Sequence, residues 1–113
     1  MRIAVASQNF RTVTGHAGKT RRFLIYDTTL SGTPQEVERL DLPHEMSLHE
    51  YHGVDHPIFG VHAVITTSCG AGFTQRLARQ GVRVVATSES DPLTAASAVA
   101  AGRPLPTAEP HEH

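Results

Sequence analysis

The chain of 113 residues contains no tryptophan, four Phe, two Tyr and a single cysteine, Cys69. So few aromatics leave a core built mainly from aliphatic side chains. One thiol excludes an internal disulfide and any cysteine-only zinc or iron–sulfur cage within one chain. No apolar run approaches the roughly 18 residues of a membrane span. The opening segment, MRIAVAS, lacks the pattern of a secretory signal, so cytoplasmic residence is expected. Net charge is also missing: ten Lys+Arg against eleven Asp+Glu give −1, which argues against a nucleic-acid partner. The length suits one domain, expected over residues 1–105, with a flexible tail at 106–113.

What is present is unevenly placed. Arg2, Arg11, Lys19, Arg21 and Arg22 precede the first acid, Asp27, so the first 26 positions carry +5. Between Gln35 and Asp55, six acids (Glu36, Glu38, Asp41, Glu45, Glu50, Asp55) face only Arg39, giving −5. Either the molecule has a basic end suited to a small anion, or neighbouring strands pair these charges; the two are compatible. Histidine is abundant, with eight in the chain and four of them (His44, His49, His52, His56) within thirteen positions.

Strands are expected at Arg2–Ser7, Arg22–Thr28 and Glu36–Leu42, the last alternating as a half-exposed strand, with a turn over residues 30–34. Short connections between them suggest antiparallel pairing. His62–Thr67 and Val82–Ala86 read as strands buried on both faces. Helices are expected from Phe73 to Gln80, closed by Gly81, and from Pro92 to Ala101, capped by Ser90 or Asp91. A short helix from His56 to Gly60 could be capped by Asp55. The pattern describes an α/β protein: a mixed five-stranded sheet with helices packed on it.

Three motifs carry possible chemistry. Gly15-His16-Ala17-Gly18-Lys19-Thr20 resembles the end of a phosphate-binding loop. Val13 stands where the first glycine belongs, however, and β-rich sequence follows where a helix is required. An NTPase is rejected, which leaves a loop offering His16 beside Lys19, Arg21 and Arg22. Cys69-Gly70-Ala71-Gly72 lies between a strand and a helix, where unsatisfied N–H groups favour an anion and a thiolate. Gln75 at the third glycine position makes a dinucleotide site less attractive than a tight turn or a small-anion site. His49, His52 and His56 have the i, i+3, i+7 spacing of a helical stripe of metal ligands, although Gly53 and Pro57 make a loop the safer picture. A solvated polar loop explains the cluster equally well. His62 is expected to be structural, and His111 and His113 lie too near the end to interpret.

Together these residues resemble the dinitrogenase iron–molybdenum cofactor biosynthesis family. Its loop V-S-x-H-F-G-R-A-x-x-F corresponds here to Val13-Thr14-Gly15-His16-Ala17-Gly18-Lys19-Thr20-Arg21-Arg22-Phe23. The glycine loop, the helix bearing Leu77 before Gly81-Val82, and the terminal helix ending Ala101-Gly102 match as well, over roughly residues 1–105. The resemblance implies a ribonuclease-H-like fold that carries anionic metal–sulfur clusters between a donor and an acceptor protein, with His16 as candidate ligand. Ala17 replaces the family's aromatic, and Cys69 stands where the family commonly lacks a thiol.

The expected site therefore comprises His16, Gly18, Lys19, Arg21, Cys69, Gly70 and Gly72, with His16, His49, His52, His56 and Cys69 as metal ligands. The expected cargo is an iron–molybdenum or related metal–sulfur cluster, bound without catalysis by a monomer or homodimer. The rivals are a small enzyme or anion- or nucleotide-binding protein using the Cys69–Gly72 loop, and a cofactor-free interaction module. Nuclease chemistry is discounted, because the first strand holds no acid and Asp27, Asp55 and Asp91 are scattered.

Overall fold

The computed structural model describes residues 1–16, 19–28, 33–53 and 55–107. Ala17, Gly18, most of the turn expected at 30–34, and residues 108–113 of the expected tail, with both terminal histidines, lie outside them. Five strands form one mixed sheet: β1 (Arg2–Ala6), β2 (Arg22–Asp27), β3 (Gln35–Asp41), β4 (Ala63–Thr66) and β5 (Arg83–Ala86). The spatial order is β3-β2-β1-β4-β5. β1 pairs antiparallel with β2, and β2 with β3, whereas β1–β4 and β4–β5 are parallel.

Period-two alternation on the central strands sends side chains to two separate apolar layers. Ile3 and Val5 of β1, Leu24 and Tyr26 of β2, and Ala63 and Ile65 of β4 face Ala95, Ala96 and Val99 of helix α2 (Pro92–Ala100). Ala4, Ala6, Phe23, Ile25 and Val64 face the opposite way, onto Leu77 of helix α1 (Ala71–Arg79) and onto Leu48, Ile58 and Val61. With both faces covered, β1 and β4 are apolar almost throughout, as their unbroken sequence runs require. Helix α2 starts where Asp91 caps it, accepting from the Thr94 N–H at 2.8 Å, with Pro92 in the first turn. Helix α1 is closed by Gly81, whose φ of +75° suits the residue type that lacks a Cβ.

Three local expectations need correction. β5 is not buried on both faces: it forms an edge of the sheet, with Arg83 and Ala86 exposed and Val84 and Val85 only partly covered. β3 is not half-buried: all its residues are exposed except Leu40, which is partly covered. It forms one edge of the sheet, and its pairing with β2 jumps from Glu38 opposite Ile25 to Glu36 opposite Tyr26. Val37 is the skipped residue, 54% exposed, so a bulge and a fringe of charge blunt this edge. The segment between β3 and β4 holds two 3₁₀ turns, His44–Met46 and Pro57–Gly60, and the second is capped by His56 rather than Asp55. His62 is structural as expected, its Nδ1 accepting from the Arg2 N–H at 3.0 Å.

Candidate functional site

The parallel neighbours β1 and β4 deliver their carboxyl ends to the same edge of the sheet, where open α/β sheets place ligands. The loop after β1 is stitched at that end. Asn9 Oδ1 accepts from the N–H groups of Arg11 and Thr12, both at 2.9 Å, and the Thr14 N–H donates to the Ala6 carbonyl at 2.8 Å. The Thr14 carbonyl in turn accepts from the Thr67 N–H at 3.1 Å, which anchors this loop to the one after β4.

Gly15 permits that approach. A Cβ there would lie 2.3 Å from Ser68 Oγ and 2.8 Å from Thr67 Oγ1, so both hydroxyls would have to leave their present positions. His16 follows with a φ of +55°, a left-handed conformation uncommon outside glycine. Its N–H donates to Ser68 Oγ at 2.9 Å, and its carbonyl accepts from the N–H groups of Lys19 and Thr20 at 2.8 and 3.0 Å. The expected histidine loop and the expected cysteine loop are therefore joined directly, through a serine that no sequence motif marks. Cys69 is partly exposed beside Gly70, the N-cap of α1, with its Sγ 3.5 Å from Thr74 Oγ1.

Three hollows run along this end of the molecule. The first, of about 420 Å³, is lined by Gln8, Thr14, Gly15, His16, Lys19 and Thr20. The second, of about 380 Å³, shares Lys19 and adds Arg21, His44, Ser47, His49 and Glu50. The third, of about 410 Å³, shares His49 and adds Leu48, His52, Gly72, Phe73 and Arg76. Lys19 and Arg21 form no ion pair among the described residues, whereas Arg2 and Arg22 pair with Glu38 (3.8 Å) and Asp41 (3.3 Å) of β3. Pairing of charges across the sheet thus accounts for Arg2 and Arg22.

The five expected metal ligands do not converge. Among the described residues no three His, Cys, Asp or Glu side chains are arranged to hold a metal ion. His49 and His52 share the third hollow, and His16 lines the first. His56 is elsewhere, only 4% exposed, and its assignment as a ligand is corrected. Its Nε2 lies 2.6 Å from the Met46 carbonyl oxygen and its Nδ1 accepts from the Ile58 N–H at 3.2 Å, so both nitrogens are occupied. The ring also sits edge-on to Tyr51, with centroids 5.1 Å apart. Burial pushes its pKa below the ordinary 6.5, helped by the Arg76 charge and opposed by the Met46 hydrogen bond. Pro57 explains the inward turn: it opens a 3₁₀ helix whose first free N–H needs an acceptor, and the preceding imidazole supplies one.

Sequence reading also missed Arg76. From α1, its guanidinium donates to the carbonyls of Leu48 (2.5 Å) and Tyr51, and so fixes the segment that presents His49 and His52. Nothing in the spacing of Arg76 announces this arrangement, because its partners are backbone atoms more than twenty positions away.

The chain matches the model of the family described as "Dinitrogenase iron-molybdenum cofactor" over residues 1–102. Among curated proteins none matches it. Two solved structures share its fold. A crystal structure of PH0822 aligns with a TM-score of 0.68 at 21% identity, covering 91% of this chain and 93% of that one. An NMR structure of TM1290 from Thermotoga, described as a candidate NifB protein of the DUF35 family, aligns with a TM-score of 0.58 at 22% identity, covering 99% and 97%. The family match spans nearly the whole chain and includes both site loops and both helices: the chain belongs to the dinitrogenase iron–molybdenum cofactor family.

Proposed function

We propose that this protein is a non-catalytic carrier that takes up an anionic metal–sulfur cluster as cargo, in iron–molybdenum cofactor assembly or related metal handling. The observation that carries this reading is the junction of the two site loops. It sets His16 on the wall of a hollow shared with Lys19, hydrogen-bonded to the serine that immediately precedes the thiol. Imidazole and thiolate are borderline and soft ligands suited to such clusters, and the cations Lys19 and Arg21 offset cluster charge. A carrier needs few ligands, since its cargo must also leave. Membership of the family supports the reading.

A donor or acceptor protein for the cluster, a ribonuclease-H-like fold class and residence in the reducing cytoplasm, where Cys69 stays a free thiol, complete the proposal. No helix among the described residues is long and apolar enough to cross a membrane. The test is elemental analysis with absorption spectroscopy on protein purified without oxygen or an affinity tag. The wild type is expected to take up a cluster on reconstitution and His16→Ala to lose most of it. Equal loading of the two proteins would refute the assignment. Cys69→Ser separates the rival enzyme, which would lose turnover on an acyl or thioester substrate, from the carrier, which would lose bound cluster.

A further inference from the structure

We infer that Ser68 is the positioning residue of the site: its hydroxyl holds His16 in a backbone conformation that the His16 loop does not favour by itself. The inference rests on the reading of His16 as the cargo ligand and adds how that ligand is aimed.

Three observations converge on it. First, His16 adopts φ +55°, where a side chain is uncommon and persists only if the surroundings over-determine it. Secondly, the His16 N–H is held by a side chain 52 positions away, Ser68 Oγ at 2.9 Å. Thirdly, that hydroxyl stands on a rigid base. The fully buried Thr66 places its Oγ1 3.0 Å from the Thr14 carbonyl and 2.9 Å from the Ser68 carbonyl, and accepts from the Ser68 N–H at 3.3 Å. Thr66 ends β4, so the strand itself sets where the Ser68 hydroxyl points. Gly15 completes the device by leaving the space Ser68 Oγ fills, since any Cβ there would collide with it at 2.3 Å.

A merely structural serine would affect stability and nothing else. A positioning serine moves His16 in the empty protein and weakens binding without unfolding the sheet. The experiment uses NMR on the full chain, reading the His16 amide and ring resonances and the H^N–Hα coupling that reports φ. Affinity for tetrathiomolybdate, a compact anionic metal–sulfur probe, is measured alongside. Ser68→Ala is expected to change the His16 coupling and ring shifts while β1 and β4 resonances stay put. It should weaken probe binding about three- to tenfold, the scale of one broken hydrogen bond. Ser68→Thr keeps the hydroxyl and is expected to restore both readouts.

Unchanged His16 coupling and unchanged affinity in Ser68→Ala would overturn the inference. If His16→Ala binds the probe as well as wild type, the ligand reading fails instead, and the coupling constant still decides the role of Ser68. Should Ser68→Ala not fold, Ser68→Cys, similar in shape but a weak acceptor, carries the same two measurements.

Discussion

Acidification should loosen the His44–Gly60 segment through one group, His56. In the fold its Nε2–H donates to the Met46 carbonyl while Nδ1 accepts from the Ile58 N–H. Only the neutral ring can do both, because a proton on Nδ1 would face the Ile58 N–H head-on. The folded pKa lies below the ordinary value of 6.5, mainly through burial. The unfolded chain therefore takes up the proton first. The stabilisation is fully present above pH 6.5 and is lost as pH falls from there towards the depressed folded value. One proton bounds the slope at about 1.4 kcal/mol per pH unit. Against a total stability of about 5–15 kcal/mol for a domain, one or two pH units would be a visible fraction. Urea unfolding followed by circular dichroism between pH 7.5 and pH 5 measures the slope. His56→Gln is the control because it removes the titrating group, and the excess slope of wild type over variant isolates its share. At pH 7.5, His56→Ala should cost about 2–4 kcal/mol, because the buried Ile58 N–H and the part-buried Met46 carbonyl are left without this partner and the ring no longer packs on Tyr51. Parallel stability curves for wild type and His56→Gln across this range would refute the reasoning.

Two further perturbations probe elements that frame the site. Arg76→Met should release the Leu48 and Tyr51 carbonyls and raise amide hydrogen exchange across residues 48–52, with the sheet core unchanged; exchange equal to wild type would show the clamp to be idle. Asp91→Ala removes the α2 cap and should lower stability by about 1 kcal/mol at pH 7. Hydrogen bonds from Thr94 hold the Asp91 carboxyl below its ordinary 3.8, so this contribution is present above that value and disappears as pH falls through the lower folded one. Stabilities of wild type and Asp91→Ala should converge in strong acid, and a constant gap between them would contradict the cap.

The sheet is legible in the sequence because its signals are local. Runs such as Ile3–Ala6 and Ala63–Ile65 have no polar face, and only a strand covered on both sides uses them. Asp91-Pro92 marks the start of α2 by chemistry that acts within one turn. What escapes sequence reading is non-local. β3 alternates as a half-buried strand would, yet its place at the edge and the bulge at Val37 are decided by partners the sequence does not display. His56 shares a spacing with His49 and His52 that suggests common purpose. Pro57 instead makes it a cap, so the spacing groups it with two histidines whose hollow it does not line. His16 can be picked out from its motif, but Ser68 cannot. A serine in a polar loop has no signature, and its importance lies in a bond spanning 52 positions.

The cations of this nearly neutral chain fall into two groups, those engaged across the sheet and those that line the hollows. Arg22 and Arg39 both stand over the Phe10 ring, at 5.4 and 5.5 Å, and Arg22 also reaches Asp41 and the Gln8 carbonyl. Through them Arg39 and Asp41 of β3 tie the edge strand to the loop after β1 and to β2. The acids further along, Glu45 to Asp55, sit on the segment between β3 and β4, and of them only Glu50 lines one of the three hollows, in company with Lys19 and Arg21. The first hollow holds Lys19 and no acid at all among the described residues. The fold therefore sorts charge by topology. Ion pairs across the sheet engage Arg2 and Arg22, while Lys19, in the loop between β1 and β2, lines the first hollow with His16.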